Sequence, residues 1–197
     1  MSPSLSATES IQELIATVLR TCDPELLLSR VPSFRAQHHK KGDVLLPQAK
    51  TWDKVFFVQH GILRTHVIDN KGVDFNNSFY TEDTLLLPLT KELECSPSLF
   101  NVSAVESSVI WCVPIAEFRD DLNAQALWEP LRVELLCRLV NHKLQREFDL
   151  LTLDGRARYQ KFCKYRPELA NRLPLIHIAS YLGLTNVSLS RYRRDIK

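Results

Sequence analysis

The sequence predicts an α+β chain: a small antiparallel β-sandwich or barrel first, then one long helix, then a short basic helical segment. Three observations carry this. Short runs rich in Val, Ile, Phe and Thr, separated by turn residues, fill the stretch from about Phe34 to Pro114. The longest helical periodicity runs from about Pro130 to Leu153. Residues 156–197 hold ten Lys/Arg and two acids, a net charge of +8, whereas residues 1–155 hold fifteen basic and twenty-one acidic residues, a net −6. An acidic body with a basic tail points to a polyanion as partner of the tail.

Composition narrows the class. With 197 residues, 45% hydrophobic and 24% charged, the chain is neither disordered nor fibrous. At about 150 residues per domain, the length falls between one domain and two. No apolar run approaches the roughly 18–20 residues of a membrane span. The run Thr84 to Leu89, for example, is short and interrupted by Pro88. Met1 to Ser10 shows no basic-then-apolar targeting pattern, so the expected location is cytoplasmic, away from membranes. Cys22, Cys95, Cys112, Cys137 and Cys163 are scattered, with no CxxC pair. They are expected to be reduced, mostly buried thiols, and no metal or cofactor is expected.

In chain order, residues 10–30 begin as a helix. Ile11, Leu14, Ile15, Val18 and Leu19 recur at helical spacing behind a Thr8 or Ser10 cap, and a short helix over Pro24 to Ser29 follows Asp23. Val55 to Val58 is a compact apolar strand. Ile62 to Ile68 alternates, with Leu63, Thr65 and Val67 on one face and Arg64 and His66 on the other. Asp69 to Gly72 reads as a hairpin turn with glycine at a positive φ. Val109, Trp111 and Val113 alternate again. Trp52, Trp111 and Trp128 are assigned to core or interface.

Ile115 to Leu122 is a short helix after Pro114. The long helix carries two apolar rows. One is Leu136, Val140, Leu144, Phe148 and Leu151; the other is Leu131, Leu135 and Leu139. Two rows exceed what one contact surface uses. Leu136, Val140 and Leu144 are therefore expected to face a second copy of the chain as a parallel helix pair. Asp154-Gly155 ends this helix, and two more fit 156–166 and 174–182.

Residues 175–194 follow a helix-turn-helix pattern. Ile178 and Leu182 form the inner face of its first helix, small Ala179 lets the helices cross, and Gly183 opens the turn. Thr185 caps the second helix, and Leu189 points inward. In the most basic part of the chain this favours DNA binding over a helical hairpin that only packs. Asn186, Val187 and Arg191 are the expected base readers, with Ser190 also facing outward. Arginine pairs bidentately with guanine and asparagine with adenine. Thr185, Ser188, Arg193, Arg194 and Lys197 suit phosphates, which position without specifying.

The order of parts resembles the Crp/Fnr family of transcription regulators. The resemblance rests on Lys41-Gly42-Asp43-Val44-Leu45-Leu46, on the aromatic strand and glycine turn Val55 to Arg64, on Leu151 to Arg156 after the long helix, and on the helix-turn-helix. It covers nearly the whole chain. It implies an N-terminal double-stranded β-helix (a jelly roll of the cyclic-nucleotide-binding type) within residues 1–129, a dimerisation helix over 130–154 and a DNA-binding domain over 155–197. The partners it implies are double-stranded DNA, a second copy of the chain and RNA polymerase, together with an effector that stays open. Such a protein is not an enzyme.

The phosphate cassette departs from that pattern. Thr81-Glu82-Asp83 stands where the family has a glycine-led stretch, and Phe100 to Ala104 where it has an arginine-led one. Glu82 and Asp83 repel a phosphate, and a buried anion without a cation is costly. The expectation is a regulator that does not bind cyclic AMP. Its candidate ligand-facing residues are Glu82, Asn101, Ser103, Arg138 and His142. Two readings remain beside it: a cyclic-nucleotide-responsive regulator with a non-standard site, and a cupin-like metalloenzyme, which the lack of a His-x-His pair disfavours.

Overall fold

The computed structural model describes residues 11, 13–15, 17 and 33–196. Residues 11, 13–15 and 17 are helical, with Ile11 and Ile15 buried and Glu13 exposed, as the spacing predicts. The short helix expected over Pro24 to Ser29 lies outside the described residues.

The strands are β1 (Arg35–His39), β2 (Val44–Leu46), β3 (Lys54–His60), β4 (Leu63–Ile68), β5 (Asp74–Tyr80), β6 (Thr84–Leu86), β7 (Asn101–Ala104) and β8 (Ser108–Pro114). They form two four-stranded sheets, ordered β1-β8-β3-β6 and β2-β7-β4-β5. This interleaved order is that of an eight-stranded jelly roll. The helices are α1 (Lys91–Cys95), α2 (Ile115–Asn123), α3 (Trp128–Thr152), α4 (Gly155–Tyr165), α5 (Pro167–Arg172), α6 (Leu175–Leu182) and α7 (Asn186–Ile196). None is long and apolar enough to cross a membrane.

β3 explains the compact run at Val55 to Val58. It lies between β8 and β6, with Phe56 opposite Cys112 and Leu86, and Phe57 opposite Trp111 and Leu85. A strand covered on both faces needs no polar alternation, and all four residues of the run are buried. Phe56 and Val58 point into one cluster with Leu46, Trp52, Leu63, Val102 and Ile110. Phe118 of α2 meets Phe34 and Trp128 edge-on, with ring centroids 6.0 and 6.3 Å apart. Trp52 and Trp128 are core residues, while Trp111 is half-buried and donates from Nε1 to Gln59 at 2.7 Å.

Three expectations are corrected. His66, assigned to the polar face of β4, is 3% exposed, with Nδ1 3.2 Å from the Asp74 carboxylate. A charge partner on β5 lets the imidazole go inside. Of the described cysteines only Cys112 is buried; Cys95 and Cys137 are exposed and Cys163 is intermediate. Cys95 ends a short helix without buried residues, and Cys137 lies on the uncovered side of α3. Burial pushes the Cys112 thiol up to about 11. An extra helix, α5, occupies the basic segment, with Pro167 at its first turn.

The described residues divide into two compact units. One runs up to Thr65 and continues over Phe79–Arg138; the other joins His66–Ser78 to Leu139 and the residues after it. The second unit therefore takes the tip of the β4–β5 hairpin and the C-terminal half of α3.

Gly61 ends β3 at φ +99°, and a Cβ there would overlap the Ser108 side chain and lie 2.8 Å from its Cα. Its N–H donates to Glu82 Oε1 at 2.9 Å. Gly61→Ala is expected to combine a left-handed backbone penalty of about 1–2 kcal/mol with an overpacking cost of about 1–3 kcal/mol. Urea unfolding checks this; a loss under about 0.5 kcal/mol, the range of ordinary surface substitutions, is the contrary result.

Candidate functional site

The C-terminal unit is built around a helix pair. Asp154 caps α4, accepting from the Ala157 N–H at 2.8 Å. Gly155 follows because the turn between α6 and α7 comes close: a Cβ would lie 2.6 Å from the Leu184 side chain. In α6, Ile178, Ala179 and Leu182 are buried, as the pattern predicts. Gly183 then adopts φ +66°, and the Leu184 N–H donates to Ala179 O at 2.9 Å to close the helix end.

Thr185 caps α7. Its Oγ1 accepts from the Ser188 N–H at 3.1 Å, and its hydroxyl donates to Ser188 Oγ at 3.0 Å. Leu189 is completely buried and fixes the rotation of α7. Asn186, Val187, Ser190, Arg191, Arg193 and Arg194 are exposed, and Ser188 is half-buried. Val187, Arg191 and Arg194 share one row at helical spacing, and Asn186, Ser190 and Arg193 form the row beside it. The Arg191 guanidinium lies 5.5 Å from the Tyr192 ring centroid. Arg156 is 4.0 Å from Asp195, the acid of α7. The exposed face thus presents three arginines, one asparagine, a serine and an apolar Val187 that is 81% exposed.

The residues singled out as ligand-facing each meet a different partner. Glu82 Oε1 accepts from the Gly61 N–H and lies 3.8 Å from His60 Nδ1. Asn101 Oδ1 accepts from the Gln48 N–H at 2.8 Å. Ser103 is buried in β7 opposite Val44. Arg138 pairs with Glu134 at 2.9 Å, one turn away on α3. His142 lies in the C-terminal unit, with Nε2 3.3 Å from the Tyr181 hydroxyl. Burial pushes its pKa below the ordinary imidazole value, and the Lys143, Arg166 and Arg146 charges lower it further. Among the described residues, no three His, Cys, Asp or Glu side chains gather to hold a metal.

Sequence reasoning missed the hairpin tip. Within the C-terminal unit, the Asn76 N–H donates to Ser180 Oγ at 2.9 Å, and the Ser180 hydroxyl donates to Asp74 O at 3.1 Å. Asn76 Nδ2 is 3.3 Å from His177 Nδ1, and Lys143 Nζ donates to Asn77 Oδ1 at 2.7 Å. His177 is therefore a contact of β5. The available clue was the polar run Asn76-Asn77-Ser78 inside a strand.

α3 carries an uncovered apolar stripe. Val133, Cys137, Val140, Leu144, Phe148 and Leu151 are all exposed, at successive spacings of three or four. Of the three expected interface residues, Val140 and Leu144 lie on it, and Leu136 is half-buried beside it.

No protein-family model matches the chain, and no curated protein matches it. Solved structures do. A mutant of CooA from Carboxydothermus hydrogenoformans is 20% identical, covers 87% of this chain and 82% of its own, and superposes with a TM-score of 0.66. FixK2 from Bradyrhizobium japonicum is 17% identical, covering 84% and 85%, with a TM-score of 0.65. CLP from Xanthomonas campestris, described as a c-di-GMP-responsive global regulator, is 11% identical, covering 87% and 89%, with a TM-score of 0.65. The chain has the fold of these proteins over most of its length.

Thr185→Ala is expected to cost about 0.5–2 kcal/mol through loss of the α7 cap, read by chemical denaturation; an unchanged midpoint would mean that the cap is not formed. His142 gives a pH prediction. Its folded pKa is below the unfolded value of 6.5, so the unfolded chain takes up the proton first. The stability concerned is present above pH 6.5 and is lost as pH falls toward the folded pKa. Between pH 7.5 and 5 the His142→Gln chain should lose less stability than the parent; equal losses would show that His142 does not contribute.

Proposed function

We propose that the chain is a sequence-specific, double-stranded DNA-binding transcription regulator of the Crp/Fnr type, acting as a homodimer. One observation carries this reading: the capped helix α7 presents Asn186, Val187, Ser190, Arg191, Arg193 and Arg194 outward in the most basic part of the chain. A second helix of a helix-turn-helix lies in the major groove with its N-terminal residues toward base edges. Asn186, Val187 and Arg191 are the base readers, and Arg193 and Arg194 are the phosphate contacts. Thr185 and Ser188 add to the phosphate contacts, although their hydroxyls already bond to one another in the cap. The fold shared with CLP, whose description names a global regulator, supports the reading.

Dimerisation through α3 follows from its uncovered stripe. A solvent-facing row of this length on one helix is a coiled-coil seam without its partner. A two-fold dimer reads a pseudo-palindrome with half-sites about 34 Å apart. RNA polymerase is a further partner by the family resemblance.

Cyclic AMP is not the ligand in this reading. Glu82, in the segment where a phosphate would be cradled, places its carboxylate on the Gly61 N–H. That carboxylate uses a backbone donor and repels an anion.

Selection of bound DNA from a random pool tests the reading. Arg191→Ala should cost about 1–3 kcal/mol and relax one base position. Arg194→Ala should weaken all sequences alike and reduce the salt slope by about one. An unchanged motif with Arg191→Ala would move the register of the recognition helix. Val140→Glu with Leu144→Glu should give monomers by sedimentation, and a folded variant that still dimerises would refute the α3 interface. Calorimetry with cyclic AMP should show no binding; micromolar binding that tightens the DNA complex would reinstate a cyclic-nucleotide-responsive regulator.

A further inference from the structure

Within the C-terminal unit, the end of α3, α4 and α6 line a half-open cavity of about 190 Å³. Its lining includes four cations, Arg146, Arg158, Lys161 and Arg166, and one carboxylate, Asp149. Asp149 is already committed to Lys161, whose Nζ lies at 2.7 Å. Arg166 pairs outside the lining, with Glu168 at 3.2 Å. Arg158 donates to two backbone carbonyls, Leu182 O at 3.0 Å and Leu153 O at 2.7 Å. Arg146 Nη2 donates to Tyr181 O at 3.0 Å, but its Nε is buried without a hydrogen-bond partner among the described residues. A guanidinium carries five N–H donors, so Arg146 and Arg158 keep donors beyond these bonds for an anionic acceptor.

The rest of the wall is aromatic and aliphatic. The Phe162 and Tyr181 rings lie 5.9 Å apart, and Leu150 and Leu182 complete the apolar side. The Arg146 guanidinium carbon is 5.1 Å from the Tyr181 ring centroid, so charge and aromatic surface meet at one place. Size sets the class of ligand. An apolar cavity of about 150 Å³ holds benzene, whereas drug-sized ligands occupy about 300–1,000 Å³. The space therefore has room for one substituted ring. His142, at the same cavity, has its pKa lowered first by burial and then by nearby cations, Arg166 and Arg146 of the lining among them.

We propose that this cavity is a binding site for a small single-ring aromatic carboxylate, held by Arg146 and Arg158 against the Phe162–Tyr181 wall. Tyr181 and Leu182 belong to α6, so an occupant braces the first helix of the helix-turn-helix. The site is independent of the DNA-binding reading, because its test contains no DNA.

The experiment is isothermal titration of the full chain with three probes: benzoate, its neutral counterpart benzyl alcohol, and inorganic phosphate. Benzoate should bind saturably, at least about tenfold tighter than either of the others, the least that a hydrogen bond to a charged group contributes. Arg146→Gln should weaken benzoate by about tenfold or more, and Arg146→Lys by less, since it keeps the charge. Gln145→Trp, at an exposed lining position, removes no cation but narrows the cavity and should abolish binding. It decides the matter if Arg146→Gln does not fold. No benzoate binding, equal binding of benzyl alcohol or phosphate, or binding untouched by Gln145→Trp would each overturn the proposal.

Discussion

A segment as short as the one after α3 buries little apolar surface by itself, since domains of about 60 residues or fewer are marginal. The C-terminal unit of this protein meets that constraint by recruitment. It takes the C-terminal half of α3 and the tip of the β4–β5 hairpin into the same compact body. The hairpin bonds to α6 through Ser180 and His177, and to α3 through Lys143. The exposed face of α7 and the cation-lined cavity both depend on this assembled support.

Charge is distributed to match. Two sets of cations in the unit contrast. Those on α7 point outward and are hydrated, at little cost. Arg146 and Arg158, by contrast, are held against carbonyl oxygens and an aromatic ring. Arginine tolerates such sites better than lysine because its guanidinium is weakly hydrated and stacks on rings. In the barrel unit the opposite economy holds. Glu82 satisfies the amide of Gly61, whose lack of a side chain is enforced by Ser108. A residue that reads as a ligand contact by position is thereby tied to the turn that follows β3.

Much of this was legible beforehand, and for local reasons. The Val55 to Val58 run announced a strand, and the structure gave the reason for its missing polar alternation, cover on both faces. Gly183, Thr185 and Leu189 announced a turn, a cap and an inward residue, because each is dictated by backbone geometry within a few positions. The periodicity of α3 announced its length to within two residues at the start. His66 was misread because alternation knows nothing of the Asp74 carboxylate on the next strand. Cys95 and Cys137 were misread because a thiol's burial depends on what covers its helix.

By itself, then, the sequence determined an antiparallel β-sandwich or barrel followed by a long helix, the position of the helix-turn-helix and the face of α7 that looks outward; the jelly-roll class came from the family resemblance. All but that class follow from periodicities of two and 3.6 residues and from glycine and cap chemistry, which act over short stretches of chain. Only the tertiary structure decided that His66–Ser78 joins the C-terminal unit, that Glu82 serves a turn, and that four cations converge on one aromatic-walled cavity. Those outcomes depend on contacts between residues as much as 106 positions apart, such as Asp74 with Ser180. No local pattern specifies such a pair. It is selected when packing brings unpaired donors and acceptors together and leaves them no water.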